Sequence, residues 1–283
     1  MTPASLPAGC YAHRAMPQLP EIPVAHPAAE RFGFRYGSKG THTSRTLMLE
    51  ELALLLAAIP ATASRDDYVH AITEGNVTEK RTVATRRHTV QRLSELYALD
   101  LRVPLFKVLR RLWGGDETGR PLLALLCGLA RDPLLRLTLP VIVALPIGSE
   151  LSRQEMVRTV RNGTIDRLNT DSIDKVVRNA SSSWTQSGHL SGRMRKLRQR
   201  VAPTPAVTAF ALLLGYLEGV RGAALLRTSW ARLLDNPPES LIQSAKDAKR
   251  LGLLDLRHAG DVVEFGFTPL LTIEKLKESH GTH

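Results

Sequence analysis

The sequence predicts a mainly α-helical protein with a minor β contribution, in which winged helix-turn-helix units carry small β-hairpin wings. Three observations lead there. Aromatic residues make up 5% of a chain that is 43% hydrophobic and rich in Leu and Ala, a balance that favours helices over a β-sandwich. Apolar residues recur at helical spacing along most of the chain. Two short stretches with strand-like patterning each follow directly on a helix. With 283 residues, 23% of them charged, the composition is that of a globular protein with room for one large domain or two to three small ones. The expected organisation is a flexible Pro/Ala-rich leader and basic linker (1–45), an N-terminal helical domain (46–148) and a C-terminal domain (149–283).

The elements follow in order. Residues 1–30 hold six prolines and no apolar run of the signal-peptide kind, so a flexible leader and a cytoplasmic location are expected. A Gly-rich linker from Phe32 to Arg45 carries Arg35, Lys39 and Arg45. Leu47, Leu49, Leu52, Leu55, Leu56 and Ile59 then share one helix face, and Pro60 stops it. A short helix over about Asp66–Glu74, a turn at Gly75-Asn76-Val77 and a long helix over about Thr78–Leu99 outline a helix-turn-helix. On that long helix Val83, Val90, Leu93 and Leu96 are expected to face the core. Lys80, Arg81, Arg86, Arg87 and Arg92 form an acid-free surface between Glu79 and Glu95.

From Val103 to Ile147 the chain is Leu-rich, with Pro104, Pro121 and Pro133 at expected helix starts. Trp113 ends an apolar stripe and is expected in the core. Leu134–Ile147 reads as a buried core helix, being too short for a bilayer and interrupted by Arg136, Pro140 and Pro146. Ser152, with Glu155 three residues on, opens a helix to about Val160 as a capping box. A short helical stretch is expected after Asn162-Gly163. A further helix runs from Asp171 to Gly188, with Ile173, Val176, Val177 and Trp184 on it. A hairpin follows from His189 to Val201, in which Met194, Lys196, Arg198 and Arg200 alternate onto one side. Buried and amphipathic helices over about 205–219, 223–234 and 238–251 lead into a second hairpin at 253–267, whose mixed charge reads as structural or partner-facing.

Net charge is +11, which points to a polyanionic partner. Between Asp174 and Glu218 there is no acidic residue, whereas Lys175, Arg178, Arg193, Arg195, Lys196, Arg198 and Arg200 all occur there. A solvated face normally mixes signs. The helix over about Asp171–Ser187 therefore reads as a recognition helix, offering Arg178, Ser182, Ser183, Thr185 and Gln186. His189, Arg193, Arg195, Lys196, Arg198 and Arg200 form a wing along the phosphate backbone. Lys80, Arg81, Arg86 and Arg87 form a second contact. Trp184 is expected to pack the wing onto the helix, and His88 and His189 to lie at the surface. Six phosphate contacts would give a log–log salt slope of roughly −5. Reversing the charge of Arg195, Lys196 and Arg198 is expected to abolish binding while leaving the fold intact.

Enzymatic signatures are absent: no H-E-x-x-H, G-x-x-x-x-G-K-[ST], G-x-S-x-G or G-x-G-x-x-G occurs. Cys10 and Cys127 cannot build a zinc site together. No catalytic residue, metal site or cofactor is expected.

The run Ala180-Ser181-Ser182-Ser183-Trp184-Thr185-Gln186-Ser187-Gly188-His189-Leu190, then Gly192-Arg193 and the basic strand, resembles the BrxA family of BREX (bacteriophage exclusion) systems. Ala209 to Gly215, Ser229-Trp230 and the turn at Ala259 to Phe265 continue the likeness, which covers about residues 45–267; the leader and linker before it depart from the family. The resemblance implies a non-enzymatic BREX component with winged-helix elements that binds double-stranded DNA and meets other BREX proteins. Relatives have also been described as NusB-like RNA-binding or as inner-membrane proteins. The expected partner is duplex DNA, ahead of an acidic partner protein in an assembly-adaptor role and ahead of RNA; no membrane partner is expected.

Overall fold

Proline and short polar caps set where the helices begin. The computed structural model describes residues 25–165, 167–260 and 262–272. It is mainly α-helical with two small antiparallel hairpins. Helix α1 (Pro27–Phe32) and a 3₁₀ turn (Thr41–Thr43) precede α2 (Leu49–Ala58), α3 (Arg65–Thr73), α4 (Val83–Tyr97), α5 (Pro104–Gly115), α6 (Arg120–Arg131), α7 (Pro133–Leu137) and α8 (Leu139–Ala144). Then come α9 (Arg153–Thr164), α10 (Thr170–Gln186), strands β1 (Leu190–Ser191) and β2 (Leu197–Arg198), and α11 (Pro205–Leu217). A 3₁₀ turn (Gly222–Arg227), α12 (Ser229–Arg232), α13 (Pro238–Arg250), β3 (Asp255–Ala259), β4 (Val262–Gly266) and α14 (Thr268–Leu271) complete the chain.

Pro104, Pro121 and Pro133 stand in the first turns of α5, α6 and α7, where a missing N–H costs nothing. Ser64 caps α3 in a reciprocal box with Asp67, and Thr82 caps α4 by accepting the Thr85 N–H. Ser152 caps α9 by accepting the Glu155 N–H. Gly188 follows α10 at φ +86°, the left-handed position that suits glycine.

Helices α6 and α11 are the central members. Leu122 to Ala130 are all buried in α6, and α11 is buried from Ala206 to Gly215. Helix α6 packs on α4, α5, α10 and α11, whereas α11 packs on α12 and α13. Trp113 lies in this core, 3% exposed. One buried cluster runs from Ala29 to Leu270, across the expected division at residue 148.

Several elements differ from expectation. The leader and linker are not loose where they are described: α1 closes the leader, the 3₁₀ turn lies within the linker, and Phe32, Phe34, Thr41 and His42 are buried. Residues 1–24 of the leader lie outside the described residues. Helix α4 starts five residues later than expected, and Val83 is exposed because it occupies the first turn. Nine residues (74–82) join α3 to α4, more than the about three to four of a tight helix-turn-helix. The apolar stretch from Leu134 is two helices broken at Thr138, with no separate helix after Gly163 because α9 runs through it. Residues 223–234 form a 3₁₀ turn and a single-turn helix.

Both sheets are two-stranded antiparallel pairs, with Leu190 opposite Arg198 and Asp255 opposite Gly266. The segment 148–151 adds itself to the free side of β2: Gly148 N–H donates to Arg198 O (2.8 Å), Arg198 N–H to Ser149 O (2.9 Å) and Leu151 N–H to Lys196 O (2.8 Å). The chain thus reads α8, edge segment, α9, α10, hairpin. A parallel order follows in α11, 3₁₀ turn, α12, α13, hairpin, where β4 packs against the 3₁₀ turn. Among the described residues no helix is long and apolar enough to cross a membrane.

Candidate nucleic-acid interface

Helix α10 divides into two faces. Ile173, Val176, Val177, Ala180, Ser183 and Trp184 are buried, while Lys175 and Arg178 are exposed and Ser181, Ser182 and Thr185 half-buried. The exposed face, the β1–β2 hairpin and the segment leading into α9 surround an open cleft of about 670 Å³. Arg153, Arg178, Arg193 and Lys196 line it against one carboxylate, Glu150, with Ser152, Ser181, Ser182 and the side chain of Met194 among them. Guanidinium and hydroxyl donors converging on an open groove suit phosphate oxygens.

The hairpin tip is held in shape. Gly192 sits at φ +95°, and a Cβ there would meet the Arg195 carbonyl oxygen at 2.1 Å, so the turn requires glycine. Lys196 Nζ donates to Thr185 Oγ1 (3.1 Å), tying the hairpin to α10. Arg195 pairs with Glu150 at 2.7 Å, both side chains well exposed. Exposed ion pairs of this kind are weak and salt-screened, so phosphate can compete for the guanidinium. Arg153 pairs similarly with Asp174 (2.8 Å).

The structure therefore brings Arg178, Ser182, Arg193 and Lys196 together, with Arg195 beside them, and it corrects other expected contacts. Ser183 is fully buried. His189 is likewise fully buried, not at the surface as expected: it faces the Ser187 hydroxyl (2.9 Å), donates to the Leu233 carbonyl (2.9 Å) and meets Trp184 edge to face at 5.1 Å. Trp184 is buried too, donating from its indole to Thr138 Oγ1 (2.8 Å). Arg198 is 1% exposed; it pairs with Asp235 (2.5 Å) and donates to the Ile142 carbonyl (3.2 Å). On β2 it is Arg198 that turns inward and Leu197 that is exposed, the reverse of the expected facing. Reversing Arg198 would bury a carboxylate beside Asp235, so the triple reversal cannot leave the fold intact. Arg200 is exposed and donates to the Asp235 carbonyl (3.3 Å). Gln186 reaches back to Thr46 (3.2 Å) instead of outward.

On α4 the expected second contact is partly consumed. Arg86 donates to the Thr73 and Lys80 carbonyls, closing the loop before α4, and Lys80 pairs with Glu51 (2.9 Å). Arg81, Arg87 and His88 are exposed. The 3₁₀ turn at 41–43 packs on both α4 and α10.

Sequence reasoning missed Arg153, Arg158 and Arg161 on α9. Their signal was present: Met156, Val160 and Thr164 form the buried stripe, and Arg158 and Arg161 fall outside it.

Beneath α10 lies a buried polar cluster. His42 Nδ1–H donates to Asp132 Oδ2 (2.7 Å), and Nε2 meets Ser183 Oγ at 2.8 Å. Asp132 also accepts N–H groups of His42, Leu134 and Leu135. Burial pushes its carboxyl up, but His42 and the backbone N–H groups of Leu135 and His42 outweigh that and hold it below the usual range. The order Asp–His–Ser matches that of a hydrolytic triad. Here, however, the Ser183 oxygen accepts the Leu47 N–H (2.9 Å), lies against the Asn179 carbonyl (2.9 Å) and has no exposure. The cluster fastens α10 to the N-terminal segment and to the start of α7. Among the described residues no group of three or more His, Cys, Asp or Glu side chains could hold a metal ion.

Burial pushes the His189 imidazole down to about 4, only partly offset by its hydrogen bond to Leu233. An unfolded His titrates near 6.5. The folded state therefore holds a stabilising contribution above about pH 6.5 that fades as pH falls towards 4. Thermal melts of wild type and His189→Gln should show wild type losing melting temperature through that window and the variant losing less; parallel curves would contradict the assignment.

No protein-family model matches the chain, and no curated protein matches it.

Proposed function

We propose that this chain is a non-enzymatic, cytoplasmic duplex-DNA-binding protein of a BREX-type phage-defence system, with α10 as recognition helix and the β1–β2 hairpin as wing. The observation that carries this reading is the cleft where α10, the hairpin and the entry to α9 meet, with four basic side chains against one acid. The topology supports it. Two helices lead into a hairpin whose second strand also pairs with the segment before the first helix, the arrangement of a winged helix. Lys175 and Arg178 stand exposed on α10 beside the cleft, where a groove-entering helix presents its donors. Arg81 and Arg87 remain available for a second backbone contact.

A second reading, an adaptor that docks acidic or mixed-charge partners, has its own support. In the second hairpin Arg257 and Glu264 face each other (3.8 Å), and α13 alternates Lys246, Asp247, Lys249 and Arg250 on its surface. RNA binding of NusB type has no comparable feature. Equal-salt titrations with duplex DNA, single-stranded DNA and structured RNA test the proposal. Duplex should bind tightest, with log affinity falling linearly in log salt; structured RNA binding more tightly, or no binding at moderate salt, would overturn it.

A further inference from the structure

We infer that the outer face of α9, through Gln154, Arg158 and Arg161, follows the sugar–phosphate backbone beside the cleft and extends the duplex footprint. This inference rests on the duplex-DNA reading above. A second open groove of about 420 Å³ runs along α9, lined by Arg153, Gln154, Val157, Arg158, Arg161 and Asn162. Arg153 and Gln154 line the main cleft as well, so the two depressions meet end to end.

The helix itself explains why these side chains point outward. Met156, Val160 and Thr164, four residues apart, are buried against α7, α8 and α10. At about 100° per residue, Arg158 emerges nearly opposite that stripe, and Gln154 and Arg161 stand about 100–120° round from it on the groove side. Glu155 stands three residues before Arg158, on its far side and outside the groove lining, and Arg153 is occupied by Asp174. Neither Arg158 nor Arg161 forms an ion pair with a described carboxylate. A solvated helix face normally intersperses both signs, whereas the groove lining carries guanidinium groups one turn apart and no carboxylate, and it adjoins a basic cleft.

Dimensions fit a backbone. From Arg153 to Arg161 the helix rises about 12 Å, the axial length of roughly three to four phosphates on one strand. Guanidinium groups bind phosphate oxygens in bidentate fashion, and both arginines are free to reorient.

The test compares two double variants of the full chain, Arg158→Ala/Arg161→Ala and Arg178→Ala/Arg193→Ala, by fluorescence anisotropy on one duplex from about 50 to 300 mM salt. Alanine preserves helix propensity; should the α9 variant melt early, Arg158→Gln/Arg161→Gln replaces it. Loss of two phosphate contacts lowers the steepness of the log–log salt dependence by about 2, and that drop in the α9 variant is the expected result. A wild-type slope in the α9 variant, with a reduced slope in the cleft variant, overturns the inference and leaves the duplex reading standing. No salt-dependent duplex binding by the wild-type chain, or no change in either variant, overturns the reading and the inference together.

Discussion

Replacing His42 with alanine is expected to lower the melting temperature by about 6–12 °C. The change leaves the Asp132 carboxylate 1% exposed and without its imidazole partner. Leaving a buried carboxylate short of its hydrogen-bond donor costs about 3 kcal/mol, and each kcal/mol shifts the midpoint by about 2–4 °C in a chain of this size. The cavity beside Ser183 adds to the loss. A melt within about 2 °C of wild type would show that the cluster carries no stabilising load. The linked pH behaviour follows from the same carboxylate. Because Asp132 is held below its unfolded value of about 3.9, its contribution is complete above that value and is lost as pH falls through the folded one. Asp132→Asn, which keeps the shape but not the charge, should therefore be destabilised at neutral pH and less sensitive to acid than wild type; differential scanning calorimetry at several pH values reads this out.

Reversing Arg178 and Arg193 to glutamate should weaken duplex binding by at least 100-fold at about 100 mM salt while leaving the far-ultraviolet circular dichroism and the melt unchanged. Both side chains are exposed and line the cleft, so each reversal removes an attraction and adds a repulsion, each worth about 1 kcal/mol or more at such a surface. Arg198→Glu should behave oppositely, losing the fold first, since it places a buried carboxylate against Asp235. Binding and melting measured on both variants separate a contact from a strut. Undiminished binding by a folded Arg178→Glu/Arg193→Glu protein would move the interface elsewhere on the molecule.

Local chemistry made part of this architecture readable. Prolines marked the starts of α5, α6 and α7 because a ring nitrogen without a hydrogen fits only a first turn, and the Leu periodicity of α2 gave its buried face. The acid-free run located α10 and the hairpin, and Arg178, Ser182, Arg193 and Lys196 do meet in one cleft. What failed depended on distant partners. His42 lies 90 residues from Asp132 and 141 from Ser183, and nothing near Thr41 or Thr43 announces a buried imidazole. Arg198 was counted with the outward-facing bases because its counter-charge, Asp235, lies beyond α11. Residues 148–151 carry no alternating pattern; they are extended only because β2 has a free side to pair with.

The hairpin bears on how a partner is met. Between Ser191 and Leu197 only five residues separate the two strands. They hang from a base fixed by the Arg198 guanidinium below and the Lys196–Thr185 contact at the side. Such a tip has little disorder to surrender when it engages a surface, and side-chain ordering at an interface typically opposes association by about 0.5–1.5 kcal/mol per immobilised group. Only the backbone share was lost when the chain folded: a surface reaching the tip would meet a braced backbone carrying the exposed side chains of Arg193, Met194 and Arg195.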